Sequence, residues 1–148
     1  MAIRRTARWG LRAACVLLMV LVSPVGADEL TEIVVVAHPD VPVDTISPQE
    51  LRRIYLGKST RWSGGLAIRP VMLAIDRPYR RFIVRALEHT EDGFEVYWKR
   101  MVFTGKGRPP RTFATPDELA FYVRMTPGAI GYLPREADRT DLKVVHVR

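Results

Sequence analysis

Cysteine is almost missing from this chain, with only Cys15 among 148 residues, and histidine is scarce, with only His38, His89 and His146. The lone cysteine falls inside an amino-terminal segment that reads as cleavable, so residues 28–148 are expected to carry no disulfide, no thiol nucleophile and no thiolate metal site. The three histidines show no His-x-x-x-His spacing, and no cofactor or metal is expected. Ser47, Ser59 and Ser63 form no Gly-x-Ser-x-Gly elbow, and Glu91-Asp92 reads as the acidic first turn of a helix rather than a catalytic pair. No catalytic residue is predicted, and an enzyme is the least supported class.

A long apolar run is also lacking. Ala13 to Val22 spans about ten residues, half of the roughly twenty that a membrane-crossing helix needs. It follows Arg4, Arg5, Arg8 and Arg12 and precedes Val25-Gly26-Ala27, so residues 1–27 read as a secretory signal peptide, leaving 28–148 as one domain in the periplasm or outside the cell. No membrane span is expected after cleavage. Loss of those four arginines lowers the formal charge from +7 to +3, because no acidic residue leaves with them. A mildly cationic exported domain is a poor nucleic-acid partner, and that class is set aside.

What is present is an alternation of strand and helix signals. Glu32 to Ala37 is a short β-branched run suited to a strand covered on both faces. Ser47-Pro48-Gln49-Glu50 reads as a helix start, with Leu51, Ile54 and Tyr55 inward and Gly57 at the carboxyl cap. Ile68 to Ile75 is a second strand, followed by a helix from about Pro78 to Leu87. Phe94, Tyr97, Trp98, Met101 and Val102 then make one apolar helical face, read as core. Thr115 to Glu118 opens a helix ending before Pro127, and strands at Ala129 to Leu133 and Leu142 to Val147 complete the set. The order predicts an α/β fold with a mixed, largely parallel sheet and flanking helices.

In Thr126-Pro127-Gly128-Ala129-Ile130-Gly131-Tyr132, Pro127 stops a helix and Gly128 offers a turn position with positive φ. Ala129 and Gly131 then share one strand face, where a neighbour can approach closely, while Ile130 and Tyr132 share the other. The first candidate site is Asp76-Arg77-Pro78-Tyr79-Arg80-Arg81, between a strand's carboxyl end and a helix start, where open α/β sheets bind ligands. Arg77, Arg80 and Arg81 could donate to a small anion there, or be solvated charges of a helix's first turn. His38 and Thr45 after the first strand, Gly128 in the turn, and the basic loop around Lys106 are further rim candidates. Thr104 to Arg111 lacks the spacing of a phosphate loop and reads as a helix cap followed by a proline-stiffened loop.

Three segments in order carry a family resemblance: Leu51-Arg52-Arg53-Ile54-Tyr55-Leu56-Gly57-Lys58 with Trp62, Val102-Phe103-Thr104-Gly105-Lys106-Gly107, and Thr126 to Tyr132. Together they resemble small secreted relatives of phosphate-type periplasmic solute-binding proteins of ABC transporters. The resemblance implies the fold of one lobe of a type 2 periplasmic binding protein, a phosphate-like anion as ligand and a membrane transporter as partner. Those proteins carry an Arg-x-x-x-Ser-Gly-Thr turn after this strand. Anchored on Phe82, the corresponding places here hold Met72 and Asp76-Arg77-Pro78, without the hydroxyls or the upstream arginine. That departure keeps an alternative open: a ligand-free interaction or regulatory module of the envelope that retains the binding-protein fold.

Overall fold

A computed structural model describes residues 33–74 and 82–148. Its main sheet has five strands: β1 (Ile33–Ala37), β3 (Arg69–Leu73), β4 (Arg111–Phe113), β5 (Ala129–Pro134) and β6 (Lys143–Val144), in the order β4-β3-β5-β1-β6. The pairs β3–β4 and β3–β5 are parallel, whereas β1 runs antiparallel to both β5 and β6, so four of the five strands point one way. This is the mixed, largely parallel sheet expected of the α/β pattern. A second ladder pairs β2 (Thr45–Ile46) with β7 (His146–Val147) in parallel.

Strand alternation divides the helices into two layers. Gly131 faces helix α3 (Pro116–Met125): a Cβ there would lie 2.8 Å from Leu119 Cδ2 and 2.9 Å from Val71 Cγ2. The small residue lets helix and sheet close together, as its position in the heptapeptide predicts. Tyr132, on the opposite face, stacks on Phe82 with centroids 4.0 Å apart, and Phe82 meets Tyr55 edge-on at 4.6 Å. That second layer holds α1 (Pro48–Tyr55) and α2 (Glu91–Phe103).

The helix starts follow their capping residues. Ser47 Oγ accepts the Glu50 amide at 3.1 Å with Pro48 in the first turn, and Gly57 takes φ +68 just past the end of α1. Thr90 Oγ1 accepts the Gly93 amide at 3.0 Å, placing Glu91 and Asp92 in the first turn of α2, where the helix dipole favours them.

Four expectations need correction. The helix expected over Pro78 to Leu87 is π-wound over Phe82–Ala86, its earlier part lying outside the described residues. Phe82, Ile83 and Leu87 are all fully buried, and one extra residue per hydrogen-bonded ring brings Phe82 and Leu87 to the same side, with Leu87 N donating to Phe82 O at 3.2 Å. The carboxyl-terminal strand is two short strands, because Val145 turns inward and the chain changes partners from β1 to β2. The loop after Lys106 contains β4, too short for alternation to reveal. Finally, the apolar face of α2 is not core throughout: Phe94 and Trp98 are buried, but Val102 is 53% exposed.

Candidate functional site

Aromatic side chains join the first and third segments that carry the resemblance, and tie the first to the sheet and to α2. Tyr55 Oη donates to Val71 O of β3 at 3.1 Å. Trp62 Nε1 donates to Gly128 O at 3.0 Å, and Tyr97 Oη donates to Leu56 O at 2.7 Å. The Trp98 ring lies against Gly57, whose added Cβ would come within 3.0 Å of Cη2. Burial, and secondarily the neighbouring Tyr132, raises the Tyr55 hydroxyl well above its ordinary pKa, so it stays a neutral donor. The pattern is architectural: these residues fasten α1, α2 and the Gly128 turn to the sheet.

The carboxyl edge is where β3, β4 and β5 all end. Ala74, the last described residue before the arginine connection, donates its amide to Phe113 O at 2.7 Å, and Phe82 resumes the chain inside the aromatic stack on Tyr132. Arg77, Arg80 and Arg81 lie between these two anchors, outside the described residues. Beside the same edge is a hollow of about 470 Å³ that includes Arg111, Glu118 and Tyr122. The Arg111 guanidinium sits 5.0 Å from the Phe113 ring centroid and 5.2 Å from that of Tyr122, which fixes its plane. Glu118 Oε2 accepts the Ala114 amide at 3.2 Å, so its carboxylate is partly committed to the chain. Sequence reasoning missed Arg111, because a single arginine after two prolines gives no sign that it enters the sheet.

The remaining candidates do not gather with that edge. β1 is antiparallel, so His38 emerges at the amino edge, where its amide donates to Ala129 O at 3.0 Å next to Gly128. His38 Nδ1 accepts the Asp40 amide at 3.1 Å, which places the proton of a neutral ring on Nε2 and leaves Nδ1 unable to donate to the Asp40 carboxylate at 3.6 Å. Gly128 has φ +79, and a Cβ there would be 2.1 Å from Ala67 O. Thr45 is exposed in the β2–β7 ladder on the β6 flank, opposite His146. Lys143, which the sequence did not single out, ties down the preceding loop through Val41 O at 2.6 Å and Asp44 at 3.3 Å.

Lys106 and Arg108 line a smaller hollow of about 220 Å³ with Ser59 and Thr60. The Ser59 hydroxyl donates to Glu50 Oε1 at 2.7 Å, which commits its proton, and the other Glu50 oxygen pairs with Arg53 at 3.4 Å. No group of three His, Cys, Asp or Glu side chains suited to a metal occurs among the described residues. No helix among them is long and apolar enough to cross a membrane. The described residues offer the ring-packed Arg111 guanidinium on β4 and no assembled nucleophile or acid–base pair.

No family model and no curated protein matches the chain. Solved structures do. A protein from Clostridium perfringens assigned as a phosphate ABC transporter substrate-binding protein, solved with bound phosphate, aligns with TM-score 0.60 at 18% identity, over 78% of this chain and 44% of that one. PstS from Borrelia burgdorferi aligns with TM-score 0.59 at 13% identity, over 79% of this chain and 47% of that one. An ABC-type phosphate transport receptor from Vibrio cholerae gives 0.53 at 14% identity, over 78% and 46%. The chain spans less than half the length of each. The fold is that of part of a phosphate-type ABC substrate-binding protein, corresponding to a lobe.

Proposed function

We propose that this protein is an exported binding module of the phosphate-transporter type that holds a small anion, phosphate foremost, for an ABC transporter. The observation that supports the reading is the setting of β3: it lies between the parallel strands β4 and β5, and the arginine connection follows its carboxyl end in sequence. Carboxyl ends of adjacent parallel strands are where open α/β sheets bind ligands. Arg77, Arg80 and Arg81 would supply charge-assisted donors. His38 and Gly128 stand at the other edge and Thr45 on the far flank, so the anion is assigned to the arginines. The binding-protein neighbours support a ligand-binding rather than a catalytic role.

Calorimetric titration with phosphate, sulfate and acetate tests the reading. Phosphate should give measurable heat and a rise in melting temperature, since a ligand held only by the native state at 100 times its Kd stabilises it by about 2.7 kcal/mol. Amino-terminal sequencing of the exported protein should start at Asp28.

A second reading, an interaction or regulatory module of the envelope with no small ligand, is favoured by one observation. Among the described residues no charged, amide, histidine, serine or threonine side chain is buried, so no ionic group is preorganised to meet an anion in the interior. No heat and no thermal shift with any of the three anions would select it.

A further inference from the structure

We propose that the open apolar groove beside α2 is the contact surface of a two-fold dimer of this chain. The groove, about 560 Å³, runs between α2 and the β4 edge and is lined by Met72, Phe94, Trp98, Val102, Phe103 and Pro110 among others. At the carboxyl end of α2, Phe103 is 93% exposed and Val102 is 53% exposed. A large ring standing free at one end of an apolar groove is a self-complementary pair of features. Under a two-fold axis, each ring is carried to the other copy's groove, and the contact closes on itself. Aromatic anchors in apolar pockets are the usual centre of such contacts.

The charges on the same helix select a second copy over another apolar partner. Glu95 and Lys99 both line the groove and form an i,i+4 pair at 3.3 Å. They stand about 6 Å apart along the axis. An antiparallel copy of α2 centred between them sets its Lys99 over Glu95 and its Glu95 over Lys99, joining both pairs into one alternating cluster. The wider pattern has the same sense, with Asp92 and Glu95 in the amino half and Lys99 and Arg100 in the carboxyl half. Antiparallel copies meet acid to base, with opposed helix dipoles.

Sedimentation velocity on the exported protein over a concentration series tests this. The wild-type protein should sediment at twice the chain mass, and Phe103→Asp should sediment as a monomer with an unchanged melting profile measured at monomeric concentration. Lys99→Glu and Glu95→Lys should each be monomeric, because like charges then face each other across the axis. An equimolar mixture of the two should recover the dimer, since one copy presents two acids and the other two bases. A wild-type protein that stays monomeric into the millimolar range overturns the proposal. So does a dimer indifferent to Phe103→Asp, or a mixture that stays monomeric.

Discussion

The Trp62–Gly128 corner and the α2–β4 flank are made from the same kinds of residue and finish in opposite states. In the corner, Trp62 is 7% exposed and its Nε1 donates to Gly128 O, while Tyr55 is fully buried and its hydroxyl donates to Val71 O. On the flank, Trp98 is also buried, yet its Nε1 has no acceptor among the described residues, and Phe103 of the same helix stands in solvent. The difference lies in the backbone beside the rings. Gly128 lets the Ala67 segment come close enough to bring a carbonyl to Trp62, whereas β4 ends the sheet after three residues and nothing described lies beyond it. An aromatic ring supplies area anywhere; a glycine or an edge decides whether that area is closed.

The largest effect should come from Gly128→Ala. Its φ of +79 disfavours a side chain, and the new Cβ would meet Ala67 O at 2.1 Å. A loss of about 4 kcal/mol is expected, at the exceptional end for one substitution, read as a shift in denaturation midpoint. A midpoint near wild type would show that the corner yields.

The two tryptophans give the sharper contrast. Trp62→Phe removes one of two donors to Gly128 O, which keeps the Arg69 amide at 3.1 Å, and Trp98→Phe removes a donor with no acceptor among the described residues. Trp62→Phe should therefore cost about 1 kcal/mol more than Trp98→Phe in paired urea titrations. Equal costs would dissolve the distinction between closed corner and open flank.

Tyr55→Phe should cost about 1 kcal/mol at neutral pH through the lost hydrogen bond. The larger signal is in pH dependence. Burial raises the folded hydroxyl's pKa above its ordinary 10.0, so the neutral form's contribution is fully present below about pH 10 and is lost as pH climbs toward the raised value. Stability of the wild type should fall more steeply above pH 10 than that of Tyr55→Phe. Parallel curves would show that the hydroxyl ionises without opening the fold.

Phe103→Ser should do least, within about 0.5 kcal/mol for the monomer, because the ring is already in water. A large loss would mean that the ring is covered within a single chain.

How far the sequence reaches follows the same division. The capped helix starts at Ser47 and Thr115, the strand read at Glu32 to Ala37 and observed at Ile33–Ala37, and the close approach at Gly131 were legible, because each is a local backbone or packing rule applied over a few residues. The antiparallel sense of β1 was not, since pairing direction depends on partners far along the chain, and it moves His38 away from the carboxyl edge. β4 was missed because Arg111 to Phe113 is too short to show a period after two prolines. Val102 was read as core because spacing identifies an apolar face but not the element that covers it. Of the candidate site, the end of β3 before the arginine connection was legible, while Arg111 was read as part of a basic loop rather than as the start of a strand.

The central claim is that a small anion binds at the arginine edge and not elsewhere, and a phosphate-induced melting shift in two variants tests it most directly. Arg80→Ala with Arg81→Ala should abolish the shift while leaving the ligand-free melting temperature close to wild type, since exposed charges contribute within about 0.5 kcal/mol. Phe103→Ser, on the other flank, should keep the full shift. A double arginine variant that melts normally and still shifts with phosphate like the wild type would contradict the account.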